Sequence, residues 1–158
     1  MERHILSSMK DKNFSEAANA IYLLTDYNKL QYPEYFKWYY RTNIPRILDG
    51  EGEAIFYLDG FQIVGLSMLK RTEAESKICT FLINEEYRKK GYSSMLLEDS
   101  FRYLGTERPV ITIPEKRLDE FSKIIEAYGW VPTETTDEYF SREVVFNDPM
   151  VLNKKYPH

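Results

Sequence analysis

The chain has 158 residues, 43% of them hydrophobic and 29% charged, a balance that excludes disordered, collagenous and membrane-embedded classes and fits one globular domain. Its 21 Lys and Arg against 25 Asp and Glu leave a net charge of −4, which speaks against a nucleic-acid binder working by broad counterion release. The single cysteine, Cys79, excludes an intramolecular disulfide, and with two histidines there is no Cys/His cluster for zinc or another metal.

Residues 3–7 (RHILS) read as a short first strand. In KNFSEAANAIYLLTDYNK the residues Phe14, Ala17, Ala18, Ile21 and Leu24 recur at helical spacing, and Asn13 followed by Glu16 suggests the N-cap. Pro33 suits the first turn of a second helix, EYFKWYYRTNI, with Tyr35, Trp38, Tyr39 and Thr42 on one face. Pro45 is expected to end or bend that helix near Asn43.

The period then changes to that of strands. EAIFYL and FQIVGLSMLK flank Asp59–Gly60 as a tight hairpin, and the apolar run at 75–83 (ESKICTFLI) reads as a central third strand of the group. A basic turn follows, then a helix from about Ser93 to Leu104 with Leu97, Phe101 and Leu104 on one stripe. RPVITIP (108–114) is a short buried strand. LDEFSKIIEAYGW is a helix with Leu118, Phe121, Ile124, Ile125 and Tyr128 on one face and Gly129 as its stop. VPTETTDEYFSREVVFN holds a weak and a stronger final strand, and a loosely ordered tail is expected from about residue 147.

The order β-α-α-β-β-β-α-β-α-β-β describes a mixed α/β sheet, built mostly from consecutive antiparallel strands with one strand–helix–strand crossover, in a single domain over 1–158. The opening MERHILSSMKDKNF lacks an apolar signal core, and no stretch approaches the ~20 apolar residues of a membrane span, so a soluble, cytoplasmic protein is expected.

The turn carries the chemistry that stands out. Arg88, Lys89 and Lys90 precede Gly91, and the small Ser93 and Ser94 follow it at the mouth of a helix. A helix mouth offers unpaired N–H groups and the positive end of a dipole, and glycine lets backbone approach a ligand closely. A phosphate or pyrophosphate cradle is one reading of such a turn; a solvated basic loop is the other. Neither GxxxxGK[ST] nor GxGxxG occurs in the chain.

Arg88-Lys89-Lys90-Gly91-Tyr92-Ser93 resembles the Arg/Gln-x-x-Gly-x-Gly/Ala signature of the GNAT superfamily of N-acetyltransferases, with Ser as the last small residue. The order of elements resembles the family's topology from residue 3 to about 146, and FSKIIEAYGW is similar to its late helix. The resemblance implies the GNAT acyl-CoA N-acyltransferase fold, acetyl-CoA as cofactor, and transfer of its acetyl group to an amine by direct attack in a ternary complex. Residues Arg88 to Ser93 would then hold the pyrophosphate chiefly through backbone N–H groups, Ser94 adding a hydrogen bond. The strand end Phe81-Leu82-Ile83 would pair its backbone with the pantetheine arm, as if the cofactor were an added strand.

The family's proton carriers are not where the resemblance would put them. Ile125 stands where many members carry a Tyr that protonates the departing thiolate, and Lys77 where some carry a Glu base. Tyr128, one turn further on, is the candidate catalytic acid, with core packing as its other reading; Tyr139 is a second candidate. Glu53, Glu73 and Glu75 lie near strand ends, where solvated charge is the ordinary reading. Cys79 reads as a small core residue rather than a nucleophile, and His4 and His158, at the termini, suggest no role.

The aromatic-rich DYNKLQYPEYFKWYY matches the segment that commonly borders the acceptor in the family, which makes Tyr32 and Tyr35 candidate acceptor contacts and Trp38 a packing residue. The acidic balance suits a cationic amine. A small-molecule or peptide amine as acceptor, no nucleic acid, no membrane, and a monomer or homodimer are the expected partners. Two other functions stay open: a non-catalytic acetyl-CoA-binding regulatory module, and an acetyltransferase toxin acting on charged tRNA, which the net charge disfavours.

Overall fold

A computed structural model describes residues 1–137 and 142–155. Seven strands form one sheet in the order β1-β2-β3-β4-β5-β7-β6. They are β1 (Glu2–Ile5), β2 (Gly52–Asp59), β3 (Gln62–Arg71), β4 (Ser76–Ile83), β5 (Val110–Pro114), β6 (Pro132–Thr136) and β7 (Glu143–Phe146). Neighbours pair antiparallel except β4 and β5, which are parallel. The mixed sheet and its crossover agree with the order read from the periodicity, and β4 is central.

The two faces carry separate cores. On one face α5 (Tyr92–Leu104) and α6 (Leu118–Tyr128) cover Ile55, Leu69, Ile78, Phe81 and Ile113. The expected stripe of Leu97, Phe101 and Leu104 is buried, joined by Leu96 and Ser100. On the other face α1 (Asp11–Thr25), α2 (Tyr35–Trp38) and α3 (Ile44–Leu48) cover Ala54, Phe56, Leu66 and Met68. A 3-10 turn, Asp26–Leu30, follows α1, and α4 (Glu85–Arg88) is a single turn between β4 and α5, capped by the Asn84 side chain.

Several local expectations shift. The N-cap of α1 is Lys10, without a side-chain cap, and Asn13 lies inside the helix. Pro45 does not end the second helical stretch: residues Tyr39–Asn43 widen into a π-helical turn and the chain runs on into α3, with Pro45 in its first turn. A π turn changes the hydrogen-bond partners locally, which accommodates a residue without an N–H. The same widening moves the buried stripe to Tyr35, Tyr39, Asn43 and Ile47 and leaves Thr42 exposed. In the hairpin Asp59 pairs with Gln62, so the loop is Gly60–Phe61, with Gly60 at φ 62. A helix, α7 (Pro149–Lys155), stands where a loose tail was expected. Among the described residues no helix is long and apolar enough to cross a membrane.

Candidate functional site

The sheet opens at its centre. Strands β4 and β5 pair at Lys77–Val110 and Ile78–Ile111, and their ladder goes no further. At that point β4 bulges: Leu69 faces Ile78 and Met68 faces Thr80, so Cys79 has no partner on β3. A bulge adds a residue to one strand and bends it, which turns the rest of β4 away from β5. A cleft of about 320 Å³ lies in the gap, with Cys79, Thr80 and Phe81 on one wall and Thr112, Ile113 and Pro114 on the other. A second cleft, of about 340 Å³, lies on the α1–α3 face. The two meet at Asn28, Tyr32, Ile78, Cys79, Thr80 and Thr112, which line both.

The backbone of β4 past the bulge alternates between its neighbours. Arg117 Nη2 donates to the Phe81 carbonyl at 3.3 Å from the β5 side, while the Asn84 N–H reaches back to Val64 of β3. Successive residues of a strand point their polar groups to opposite edges. Phe81 and Ile83 therefore face the gap, whereas Leu82, paired with Leu66, faces β3. Of the three residues named from the sequence, two present backbone to the opening.

At the end of β4 the basic turn opens α5. Gly91 is the N-cap in left-handed geometry at φ 83, and a Cβ built there would meet nothing within 4 Å. The glycine is thus required by the turn's own conformation, and the space in front of it is open. The first N–H groups of α5, on Tyr92, Ser93 and Ser94, face the helix mouth, where no side chain caps them. Ser93 Oγ is buried without a hydrogen-bond partner. Arg88 pairs with Glu120 at 3.6 Å, Lys90 lies 5.6 Å from the Tyr87 ring centroid, and Lys89 is exposed. Tyr92 packs on Tyr87 and Tyr57, so its side chain is part of the fold at this corner.

On the far side of the gap the structure joins Tyr32 to a residue that the sequence reading passed over. Glu143, the first residue of β7, is 3% exposed and lines the first cleft. The Tyr32 hydroxyl donates to its Oε1 at 2.6 Å, and Gln31 Nε2 donates to the same oxygen at 3.1 Å. Its signal in the sequence was small: one acid opening an otherwise apolar strand, EVVF, and 111 residues away from the tyrosine that holds it. Tyr35 lines the second cleft but is a core residue, 5% exposed, with its hydroxyl on Thr25 Oγ1 at 2.6 Å. Burial pushes that phenol up to about 12.

The other candidates go elsewhere. Tyr128 packs its ring against Phe101, 4.9 Å between centroids, and lines neither cleft. Tyr139 lies outside the described residues. Ile125, on α6, is half-buried and packs on the core of that face. Glu53 accepts from the Ser7 N–H at 3.0 Å, from Ser7 Oγ and from its neighbour's N–H at 3.1 Å, which makes it a structural acid. Glu75 pairs with Lys70 at 3.1 Å and Glu73 is exposed. Cys79 sits in the floor where the clefts meet, and burial pushes its thiol up. The second cleft is lined by Arg46, Lys70 and Lys77, a local charge opposite to the acidic balance that had suggested a cationic acceptor.

No protein-family profile matches the chain, and no curated protein matches it in sequence. Solved structures do match in shape. The ribosomal-protein-S18-alanine N-acetyltransferase of Escherichia coli matches with a TM-score of 0.59 at 10% identity, over 92% of this chain and 92% of that one. A putative GNAT-family acetyltransferase from Desulfovibrio desulfuricans matches with 0.59 at 9% identity, over 92% and 97%. A spermidine N-acetyltransferase chimera from Vibrio cholerae matches with 0.54 at 14% identity, over 97% and 100%. The chain has the GNAT acetyltransferase fold.

Proposed function

We propose that this chain is an acetyl-CoA-dependent N-acetyltransferase that holds cofactor and amine acceptor together, on the two sides of the gap between β4 and β5. One observation carries the reading: the bulge at Cys79 opens the centre of the sheet directly upstream of a glycine-opened helix mouth. The residues present fit the cofactor. Open space in front of Gly91, the first N–H groups of α5 and the orphaned Ser93 Oγ suit a pyrophosphate. Arg88, Lys89 and Lys90 add positive charge around it, and Ser94 is exposed beside it. The gap-facing backbone of Phe81 and Ile83 suits the amides of a pantetheine arm.

Bound there, acetyl-CoA supplies an acetyl group activated as a thioester. Glu143 is the group we assign to the acceptor's proton: an amine attacks only when neutral, and a carboxylate in the cleft wall can take that proton. Tyr32 and Gln31 fix the carboxylate's position through their hydrogen bonds. The remainder of the rate comes from holding both reactants in one cleft. Tyr128 has no part in this scheme.

The test is incubation with acetyl-CoA and a panel of amines while free thiol is followed. Amine-dependent thiol release supports the proposal. Tight acetyl-CoA binding without turnover on any amine would favour the regulatory-module reading, which the packing of Tyr128 and Ile125 away from the clefts keeps in view.

A further inference from the structure

The chamber on the α1–α3 face has a charge that the net −4 of the chain does not foreshadow. Lys70 of β3 and Lys77 of β4 stand opposite each other in the ladder, a juxtaposition of like charges that by itself destabilises a sheet. Both line the chamber together with Arg46 of α3, and all three side chains are half-buried. The stem of Arg46 runs over Gly52, where a Cβ would meet its Cγ at 3.3 Å and Cδ at 3.4 Å. The bare backbone at 52 thus leaves room both for the Leu69 carbonyl, 3.1 Å from such a Cβ, and for this arginine.

The acids nearby are accounted for. Glu75 binds Lys70 at 3.1 Å and Glu34, in the chamber wall, binds Lys37 at 3.1 Å. Arg46 and Lys77 have neither an ion pair nor a hydrogen-bonded side-chain partner among the described residues. Cys79 in the floor feels Lys77, Arg46 and Lys70, each favouring its thiolate against the stronger effect of burial. The opposite wall is aromatic: Tyr32, Tyr35 and Trp38.

We infer that the acceptor is an amine that also carries an acidic group, a carboxylate or a phosphate, on an apolar or aromatic body of amino-acid size. Its role as acceptor rests on the acetyltransferase reading above; its charge rests on the chamber alone. The acidic group lies between Arg46 and Lys77, the body lies against Trp38, and the amine points to the gap at Cys79. A chamber of about 340 Å³ suits a molecule of this size. A polyamine, with no acidic group, would bring like charge to like.

Binding can be read without turnover, because Trp38 is in the chamber wall while Trp130 is buried in the opposite core. The cofactor-free protein is titrated with N-acetyl-L-phenylalanine, its uncharged amide and phenyl phosphate, following tryptophan fluorescence. At least one of the two anions is expected to bind tenfold or more tightly than the amide, and which one does so separates carboxylate from phosphate. The advantage should fall about tenfold in Arg46→Gln/Lys77→Gln, persist in Lys77→Arg, shrink with added salt, and lose its fluorescence signal in Trp38→Phe. Equal binding of anions and amide overturns the inference, as does an advantage that survives the double substitution in a protein whose circular dichroism is unchanged. Failure of the acetyltransferase reading would register separately, as absent acetyl-CoA binding with the anion preference intact.

Discussion

The two sides of the gap are built by different means. The mouth of α5 is made of consecutive residues, Arg88 to Ser94, and works through backbone: one glycine at φ 83 and the N–H groups behind it. The facing wall is made of side chains from distant segments. Tyr32 and Gln31 follow the 3-10 turn after α1, Glu143 opens β7, and Arg46, Lys70 and Lys77 come from α3, β3 and β4. A backbone site tolerates wide change in side chains, whereas the facing wall changes with any one of several residues. The first therefore suits a constant ligand part and the second suits the part that distinguishes one acceptor from another.

The strongest way to break this division is at Glu143. Glu143→Gln is expected to lower turnover by about 10²–10³-fold and to leave acetyl-CoA affinity within about twofold; steady-state thiol release and calorimetry measure the two. An unchanged turnover would remove Glu143 from the chemistry and leave it as a structural partner of Tyr32. The next test separates charge from backbone strain at the mouth. Gly91→Asp and Gly91→Asn share a left-handed position that costs an L residue roughly 1–2 kcal/mol, so their melting temperatures should fall alike. Only Asp sets a negative charge before the helix mouth, so acetyl-CoA affinity should drop about tenfold further in Asp than in Asn. Equal affinities would make the glycine a folding requirement and nothing more.

The floor where the two sides meet has its own signature. Burial pushes the Cys79 thiol up, so its protonated form is favoured and the reactive thiolate is scarce at neutral pH. Alkylation by iodoacetamide is expected to be several-fold slower than for a free cysteine at pH 7.5. It should accelerate only above the ordinary thiol range, and slow further when acetyl-CoA fills the gap. The smallest expected effect is at Tyr128. Tyr128→Phe keeps the ring on Phe101 and should leave turnover within about twofold; a loss of a hundredfold would restore this hydroxyl to the reaction.

What the sequence made legible follows the same division. Hydrophobic period and turn residues are local, so the order of strands and helices, the central place of β4 and the glycine-opened turn could all be read in line. The π-helical turn at Tyr39–Asn43 could not, because a chain with Pro45 reads as a helix end unless its neighbours hold it in register. Glu143 escaped for a related reason. A carboxylate at the start of an apolar strand looks solvated until the sheet order places β7 between β5 and β6 and brings Tyr32 over it. Tyr128, named as the nearest hydroxyl one turn beyond Ile125, sits beside Phe101, because it is the start of α6, Arg117 and Phe121, that lies at Phe81 of β4, and the last turn lies further off. Net charge carries little information about the chamber for the plainest reason: −4 is a sum over the surface, whereas the chamber is lined locally by Arg46, Lys70 and Lys77.

The central claim is that the gap in the sheet and the mouth of α5 are one cofactor site. A crystal structure of the chain grown with coenzyme A tests it most directly. The account predicts the pantetheine arm between β4 and β5, in contact with the backbone of Phe81 and Ile83, and the pyrophosphate on the N–H groups that follow Gly91. Coenzyme A bound on another surface, or a gap that stays closed to it at saturating concentration, would contradict the account.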